Sequence, residues 1–322
     1  MYVLSLTKVK ITSMEVINST DEFLNINQPA VVTIGSFDGV HLGHRKILQQ
    51  LKNIANQKGG KTVLVTFDPH PRHFFNNKEL CLLNTPEEKK QLLEKEGLDF
   101  LVVQKFDSRF AAYTPEHFIK KLTQNLHMKD LLLGYDHRLG KDRQGDFVYI
   151  QGLEDKYGFT THRIEAVQLD GQNISSSLIR RQLKEGAVQT ANKYLGYPYF
   201  ITGKVVRGNQ LGRKLGFPTA NIEVENSYKL IPKQGVYLVR SVINEQPVYG
   251  MMNIGFRPTI DGKKQIKEVH FFDFENNLYD KELQISFLQR MRDEQKFSSL
   301  EALKNQLQKD EKKARKLLSK FK

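Results

Sequence analysis

The chain reads as an α/β protein built from two units in series: a doubly wound parallel sheet, then an antiparallel β-barrel that ends in a helix. Three observations predict this. The 322 residues are about twice the usual domain length. Through residue 186, short β-branched runs alternate with amphipathic stretches of helical spacing. Beyond Gly186 the texture changes to closely spaced strand-like runs separated by turn dipeptides. The expected domains are therefore 1–186 and 187–322.

The elements follow in order. Residues 30–36 (AVVTIGS) form a buried strand entering a Gly turn, and Ile47, Leu48, Leu51, Ile54 and Ala55 share one face of a helix that Gly59-Gly60 ends. KTVLVTF (61–67) is a second strand, so strand, helix and strand make a βαβ unit with parallel strands. The pattern repeats: a helix opens at Thr85-Pro86, 98–106 is a strand, 115–126 is a helix and 130–136 is a strand. A helical connector spans 187–196. From Tyr199, six strand-like runs follow, with Asn244-Glu245, Asp261-Gly262 and Asn276-Asn277 as turns, which is the spacing of an antiparallel barrel. In the final helix, Ser298 and Glu301 make a capping box, and Leu300, Leu303 and Leu307 share a face.

Charge narrows the partners. The net charge of +13 admits nucleic acid, membrane surfaces and small polyanions. Seven basic against two acidic residues between Lys309 and Lys322 place much of the excess on one helix face, so no nucleic-acid partner is expected. No apolar run is long enough to span a bilayer, and the first residues lack a secretory pattern; with Cys81 as the lone cysteine, a cytoplasmic protein is expected. Met14 offers an alternative start.

Two segments carry chemistry. GSFDGVHLGH (35–44) joins the first strand to the first helix, where free N–H groups and the helix dipole favour anions. His41 and His44, three apart, project from one face of the first turn, and Gly35 and Gly39 let a ligand approach the backbone. The same spacing also occurs as surface histidines or part of a metal site; a Rossmann fingerprint and a Walker A loop are both absent. ISSSLIRR (174–181) sets Ser175, Ser176 and Arg180 at a helix start, suited to a triphosphate or serving as an ordinary serine cap. TFDPHPR (66–72) follows the second strand, with His70 and His73 read as ligands of a metal only in a minority view. In the second unit, a Gly-rich basic loop runs into Pro218-Thr219-Ala220-Asn221, whose hard oxygens suit Mg²⁺. Glu268 lies on a strand whose other residues are mostly apolar, either as a general base or as an outward-facing residue.

In this order, GSFDGVHLGH, TFDPHPR, LLLGYDHRLGKDRQGD and ISSSLIRRQL resemble the adenylyltransferase module of the prokaryotic bifunctional riboflavin kinase/FMN adenylyltransferases, the bacterial FAD synthetases. GKVVRGNQLGRKLGFPTANI, MNIGFRPT, KEVHFFDF and MRDEQKF resemble the kinase barrel of the same family, so the resemblance covers about residues 28–312. It implies an enzyme that uses ATP and Mg²⁺, phosphorylating riboflavin to FMN and adenylylating FMN to FAD. It also implies roles: His41, His44, Ser175, Ser176 and Arg180 on ATP phosphates, Thr219 and Asn221 on MgATP, and Glu268 as catalytic base. Gly35, Phe37, Asp38, Gly39, Asp68, His70 and Asp136 become binding residues of the first module, and Gly203, Lys204, Gly212, Arg213, Gly216 and Pro218 of the second. His137 and Leu139 stand where the family commonly has aromatic residues. The rival readings are a paralogue with one active module, a nucleotidyltransferase for another phosphate-bearing substrate, and a basic nucleic-acid-binding regulator.

Overall fold

The computed structural model describes residues 14–24, 26–75, 80–135, 138–141, 144–208, 211–259 and 262–321. In the first half, strands β1 (Glu15–Ile17), β2 (Ala30–Ile34), β3 (Lys61–Asp68), β4 (Phe100–Lys105), β5 (Met128–Gly134) and β6 (Thr160–Ile164) alternate with helices α1 (Leu42–Lys58), α2 (Pro71–Phe74), α3 (Pro86–Glu94), α4 (Ser108–Ala111), α5 (Pro115–Asn125), α6 (Phe147–Gln151) and α7 (Glu154–Tyr157). A two-strand hairpin, β7 (Gln168–Leu169) and β8 (Gln172–Asn173), precedes helices α8 (Ser176–Glu185) and α9 (Val188–Leu195). The second half holds β9 (Phe200–Val206), α10 (Leu211–Lys214), β10 (Ala220–Glu223), β11 (Gly235–Ile243), β12 (Gln246–Thr259), β13 (Gly262–Phe271), β14 (Glu282–Arg292) and α11 (Leu300–Leu318).

The first sheet is parallel throughout, in the order β1-β4-β3-β2-β5-β6. β2 and β3 are buried on both faces and β2 is apolar at all but one position, as a strand covered by helices on both sides requires. From β2 the chain winds outward through β3 to β4, then returns to β5 on the other side of β2. The crevice at the carboxyl ends of β2 and β5 is therefore the topological switch point, where open α/β sheets bind ligands.

The second sheet is a closed antiparallel barrel, β10-β13-β12-β11-β14-β9. Tyr199, Tyr237, Met252, Val269 and Phe287 are fully buried on one face, with the Tyr237 and Phe287 rings edge-on at 5.2 Å. The other face presents Val236, Leu238 and Met251, which cluster with Ala314 and Leu318 of α11. Asn244 and Glu245, at φ 50° and 63°, make the tight β11–β12 turn.

By packing, one compact unit comprises the described residues through Leu80 with Pro86–Ile174, and the other Cys81–Thr85 with Ser175–Lys322. Helix α8 and the 81–85 segment thus pack within the barrel unit. Leu82 bridges to Lys229, and the Lys229 ammonium donates to the Leu83 carbonyl at 2.6 Å.

Two helix-terminal expectations change. The cap of α11 is Ser299, whose Oγ accepts the Ala302 amide at 3.1 Å, so Ser298 and Glu301 form no capping box. Leu300 is exposed rather than sharing the buried face, because it sits at the first helical position beyond the packed stretch. The Asp261-Gly262 turn falls partly outside the described residues.

Helix α11 is pinned by Asp310, 3% exposed, which accepts from Arg292 Nε at 3.0 Å and Nη2 at 2.6 Å and from Gln306 Nε2 at 2.9 Å. Removing one partner strands a buried charge, whereas removing both does not. Arg292→Met is expected to lower the unfolding free energy of the barrel unit by about 3 kcal/mol, and Arg292→Met with Asp310→Leu to recover most of that loss. Urea denaturation of the three proteins checks both parts.

Candidate active sites

The first site is built on the turn from β2 into α1. Phe37 (φ 46°), Gly39 (φ 93°) and Val40 (φ 35°) all take left-handed backbone, the last rare for a β-branched residue. Only glycine adopts the φ of position 39 without strain. This tight path buries Phe37, Asp38 and Val40 and ends in His41, the N-cap of α1. His41 Nδ1 accepts the amide of His44 at 3.3 Å. One of the free N–H groups at the helix start is thus satisfied by the first histidine, not left for a ligand.

The two imidazoles stack face to face, centroids 3.6 Å apart, and Phe37 covers the outer face of His44 at 4.6 Å. Burial first, then the neighbouring His41 and Lys89, hold the His44 pKa well below the ordinary 6.5. At neutral pH this ring is therefore a neutral hydrogen-bonding group. Its Nδ1 is buried with no hydrogen-bond partner among the described residues.

Lys89, on α3, was not singled out by the sequence. Its Nζ donates to the Ser36 carbonyl at 3.2 Å and to Thr66 Oγ1 at 2.9 Å, joining the ends of β2 and β3. Burial lowers its pKa from 10.5, while the carboxylates of Asp38 and Asp68 act the other way. Asp68 is exposed at the end of β3, and His70 caps α2, its Nδ1 accepting the Arg72 amide at 3.1 Å. His73 Nε2 lies 2.6 Å from the Leu80 carbonyl, and no group of three or more metal-ligating side chains occurs among the described residues.

An aromatic cluster occupies the β3–β4 side of the same sheet edge. Phe67, Phe74, Phe75, Phe106 and Phe110 pack edge to face around Phe106, at 5.5 to 5.9 Å from it, with Phe75 67% exposed. The paired Phe74-Phe75 and the Phe106 at the end of the VVQKF run were its sequence signal. Leu139 belongs to the buried core of this unit and bridges Gly145 through backbone hydrogen bonds. Asp136 and His137 lie outside the described residues.

Ser175, Ser176 and Arg180 belong by packing to the other unit. Ser175 is the N-cap of α8, accepting the Leu178 amide at 3.3 Å, and Arg180 is buried with its Nε donating to the Cys81 carbonyl at 2.8 Å. The serine is thus a helix cap in this structure, with its hydroxyl proton still available.

The second site is a cavity of about 250 Å³ between the barrel and α11. Strand register builds it. Glu268 pairs with Asn221 on β10 and with Asn253 on β12; Asn253 pairs with Val236, and Val236 with Arg292. Residues directly opposite in antiparallel strands share a face, so these five form one row across the barrel. Glu268 therefore lies on the outer face of the barrel, flanked by two amides, but opens into the cavity under α11 rather than into open solvent. Thr219, Phe217, Leu215, Met251, Leu303 and Leu307 contribute the other walls.

The backbone comes close here by necessity. A Cβ on Gly212 would lie 2.2 Å from the Phe217 carbonyl, and one on Gly208 would lie 2.2 Å from Asn221 Nδ2. These contacts press the loop against Thr219 and Asn221 into an oxygen-bearing cradle, a donor set that fits Mg²⁺. Gly216 (φ 87°) turns the chain after α10, which carries Arg213, and the Pro218 carbonyl faces His270 Nδ1 at 2.8 Å. Gly203 and Lys204 are strand residues of β9. Gly203 allows the close approach of Glu223, and Lys204 pairs with Asp280 at 3.1 Å.

Fold and sites together define a two-unit nucleotide-dependent transferase: a nucleotidyltransferase-type α/β sheet with a histidine pair at its switch point, and a barrel with a carboxylate-floored pocket. The family described as FAD synthetase matches residues 24–178, and that described as riboflavin kinase matches 195–318. A bifunctional riboflavin kinase/FMN adenylyltransferase of Listeria monocytogenes is 38% identical over 94% of this chain and 96% of its own length; one of Haemophilus influenzae is 38% identical over 92% and 97%. A solved structure from Streptococcus pneumoniae, titled a macrolide-efflux protein, has a TM-score of 0.86 at 29% identity, covering 94% of this chain and 99% of that one. No helix among the described residues is long and apolar enough to cross a membrane. The chain belongs to the bifunctional riboflavin kinase/FMN adenylyltransferase family.

The depressed His44 pKa makes folding pH-dependent. An unfolded chain takes up a proton here near pH 6.5 and the folded chain resists it, so this group's contribution is fully present above 6.5 and is lost as pH falls towards the folded value. Melting temperatures measured between pH 7.5 and 5 are expected to fall less steeply for His44→Gln than for the parent.

Proposed function

We propose that the barrel phosphorylates riboflavin at its 5′-hydroxyl and that the α/β unit adenylylates the resulting FMN to FAD, each step consuming one ATP. The observation that carries the first assignment is the cross-strand row that sets Glu268 between Asn221 and Asn253 at the cavity. Family membership supplies the substrates; the residue roles rest on this geometry.

In the barrel, the apolar walls from Leu215, Phe217, Met251, Leu303 and Leu307 take the flavin ring, and Arg292, Glu294 and Asp310 provide a polar margin. Glu268 accepts the proton of the 5′-hydroxyl as its oxygen bonds to the γ-phosphorus and the bond to the bridging oxygen breaks, releasing ADP. Thr219 and Asn221 would hold Mg²⁺, which would offset charge on the ATP phosphates. Gly203 and Lys204 of β9, Gly212 and Arg213 of α10, and Gly216 and Pro218 beyond it shape the nucleotide side.

In the α/β unit, His41 and His44 hydrogen-bond the reacting phosphates of ATP over the start of α1, with Gly35, Phe37, Asp38 and Gly39 forming the turn beneath. Asp68 and His70 border the acceptor, and the Phe67–Phe106 cluster is the apolar platform for the flavin ring. Aromatic residues at 137 and 139 are then not needed. Ser175, Ser176 and Arg180 serve the departing pyrophosphate, and Asp136 belongs to the same reading. Cytoplasmic residence does too, supported by a lone cysteine that can form no internal disulfide.

Chromatographic product analysis tests the division of labour. Riboflavin, ATP and Mg²⁺ are expected to yield FMN and FAD, and FMN with ATP to yield FAD. Glu268→Ala is expected to lose about 10²–10⁴-fold in riboflavin phosphorylation while retaining adenylylation of supplied FMN. Equal loss of both activities in a folded variant would overturn these roles.

A further inference from the structure

The face-to-face stacking of His41 and His44 leaves a deficit at the α/β site. Joining two phosphates brings a dianionic acceptor to a nucleotide that is itself strongly anionic, so fixed positive charge is required there. The histidine pair does not supply it: rings 3.6 Å apart resist double protonation, and His44 is held neutral. Among the described residues of this unit, Lys89 is a cation brought to the same place by the ends of β2 and β3.

Three features separate Lys89 from a purely structural lysine. An ammonium has three donors. Two are used, on the Ser36 carbonyl and Thr66 Oγ1, which leaves one without a partner among the described residues. Beside it, His44 Nδ1 is likewise buried and unpartnered. Lys89 disfavours protonation of His44, so the two unmet polar groups lie within electrostatic reach of each other, where the phosphates of both substrates have to meet. Position selects which phosphate Lys89 takes. Thr66 immediately precedes Phe67 of the aromatic cluster, whereas the histidines cap α1 at the switch point. Lys89 thus stands between the nucleotide side and the flavin side.

We infer that Lys89 is a catalytic residue of the adenylyl transfer, its ammonium binding the phosphate of FMN beside His44 as that phosphate attacks. The inference rests on the adenylyl-transfer reading above. In the step, an FMN phosphate oxygen bonds to the α-phosphorus of ATP while the bond from that phosphorus to the bridging oxygen breaks, and the electron pair leaves on pyrophosphate. No proton transfer is needed, and Lys89 stays protonated throughout. The charged and titratable groups around it are Asp38 and Asp68, which favour the ammonium, and His44, stacked in turn on His41, whose protonation the ammonium disfavours.

Steady-state kinetics on the full chain, with FMN and ATP varied separately and riboflavin phosphorylation as an internal control, test this. Lys89→Met is expected to lower kcat/KM for FMN by about 100-fold or more and to raise KM for FMN, with KM for ATP and the kinase rate changed less than about threefold. A parent protein that makes no FAD from FMN would defeat the adenylyl-transfer reading itself. A parent that does, with Lys89→Met matching it or raising only KM for ATP, would overturn the role of Lys89 alone. Should Lys89→Met lose both activities through misfolding, Lys89→Arg decides. The lysine's lowered pKa places the alkaline fall in adenylylation below pH 10.5 in the parent. A guanidinium remains charged beyond pH 12, so the fall is expected to move upward in Lys89→Arg. An unmoved alkaline limb refutes the assignment.

Discussion

Two imidazole rings stacked 3.6 Å apart constrain the charge of the whole α/β site. Stacking fixes both rings on one face of α1, because His41 is held by its own cap to the His44 amide and Phe37 closes the far side of His44. The geometry that orients them also keeps them from being a pair of cations. Once His44 is neutral, its contribution is directional hydrogen bonding, and charge has to arrive on other elements. The strained turn at Phe37, Gly39 and Val40 follows from the same requirement, since it drops the chain steeply enough from β2 to deliver His41 at the helix start. Backbone strain of this kind persists only where surrounding packing enforces it, here a fully buried β2 and a buried Val40.

The barrel solves a different problem. Phosphoryl transfer to a hydroxyl needs a base, and a lone carboxylate in an apolar cavity would be costly to keep ionised. Cross-strand register sets Glu268 between the amides of Asn221 and Asn253, while the apolar walls come from the segment after α10, from β12 and from α11. A one-residue slip of β13 would send Glu268 into the barrel interior and bring Val269 to the cavity. The tight β11–β12 turn and the interior packing of Tyr237, Met252, Val269 and Phe287 hold that register, and with it the side from which Glu268 meets the cavity.

Sequence made the two architectures legible because hydrophobic period changes from helical-with-strand to strand-only near Gly186, and the histidine pair because it follows a buried strand into a helix. The short edge strand β1, the hairpin β7–β8 and helices α6 and α7 carry too few residues to show a period. The α11 cap was misplaced by one residue because Ser298 and Ser299 are both competent caps, and only the packing of Ala314 and Leu318 sets the helix phase. Glu268 could not be assigned a face from its own strand, since alternation allows either phase; pairing with Asn221 and Asn253 decides it. Lys89 was invisible for a related reason. On α3, with Lys90 beside it and Glu87 and Glu88 before it, it reads as one more solvated charge, and only tertiary folding brings it against Ser36 and Thr66.

The packing of α8 adds a constraint on how the two activities coexist. Its serines and Arg180 carry an adenylyltransferase signature, yet the helix and the Cys81–Thr85 segment belong to the compact unit that contains the barrel. That segment is stitched there by the Leu82–Lys229 bridge, the Lys229 ammonium on the Leu83 carbonyl and Arg180 Nε on the Cys81 carbonyl. Lys229 is itself buried over the Tyr199 and Phe200 rings at 4.6 and 5.4 Å, so the attachment draws on the barrel core. Chain order and folding unit therefore differ. Cutting between α8 and the barrel would separate Arg180 from the packing that orients it.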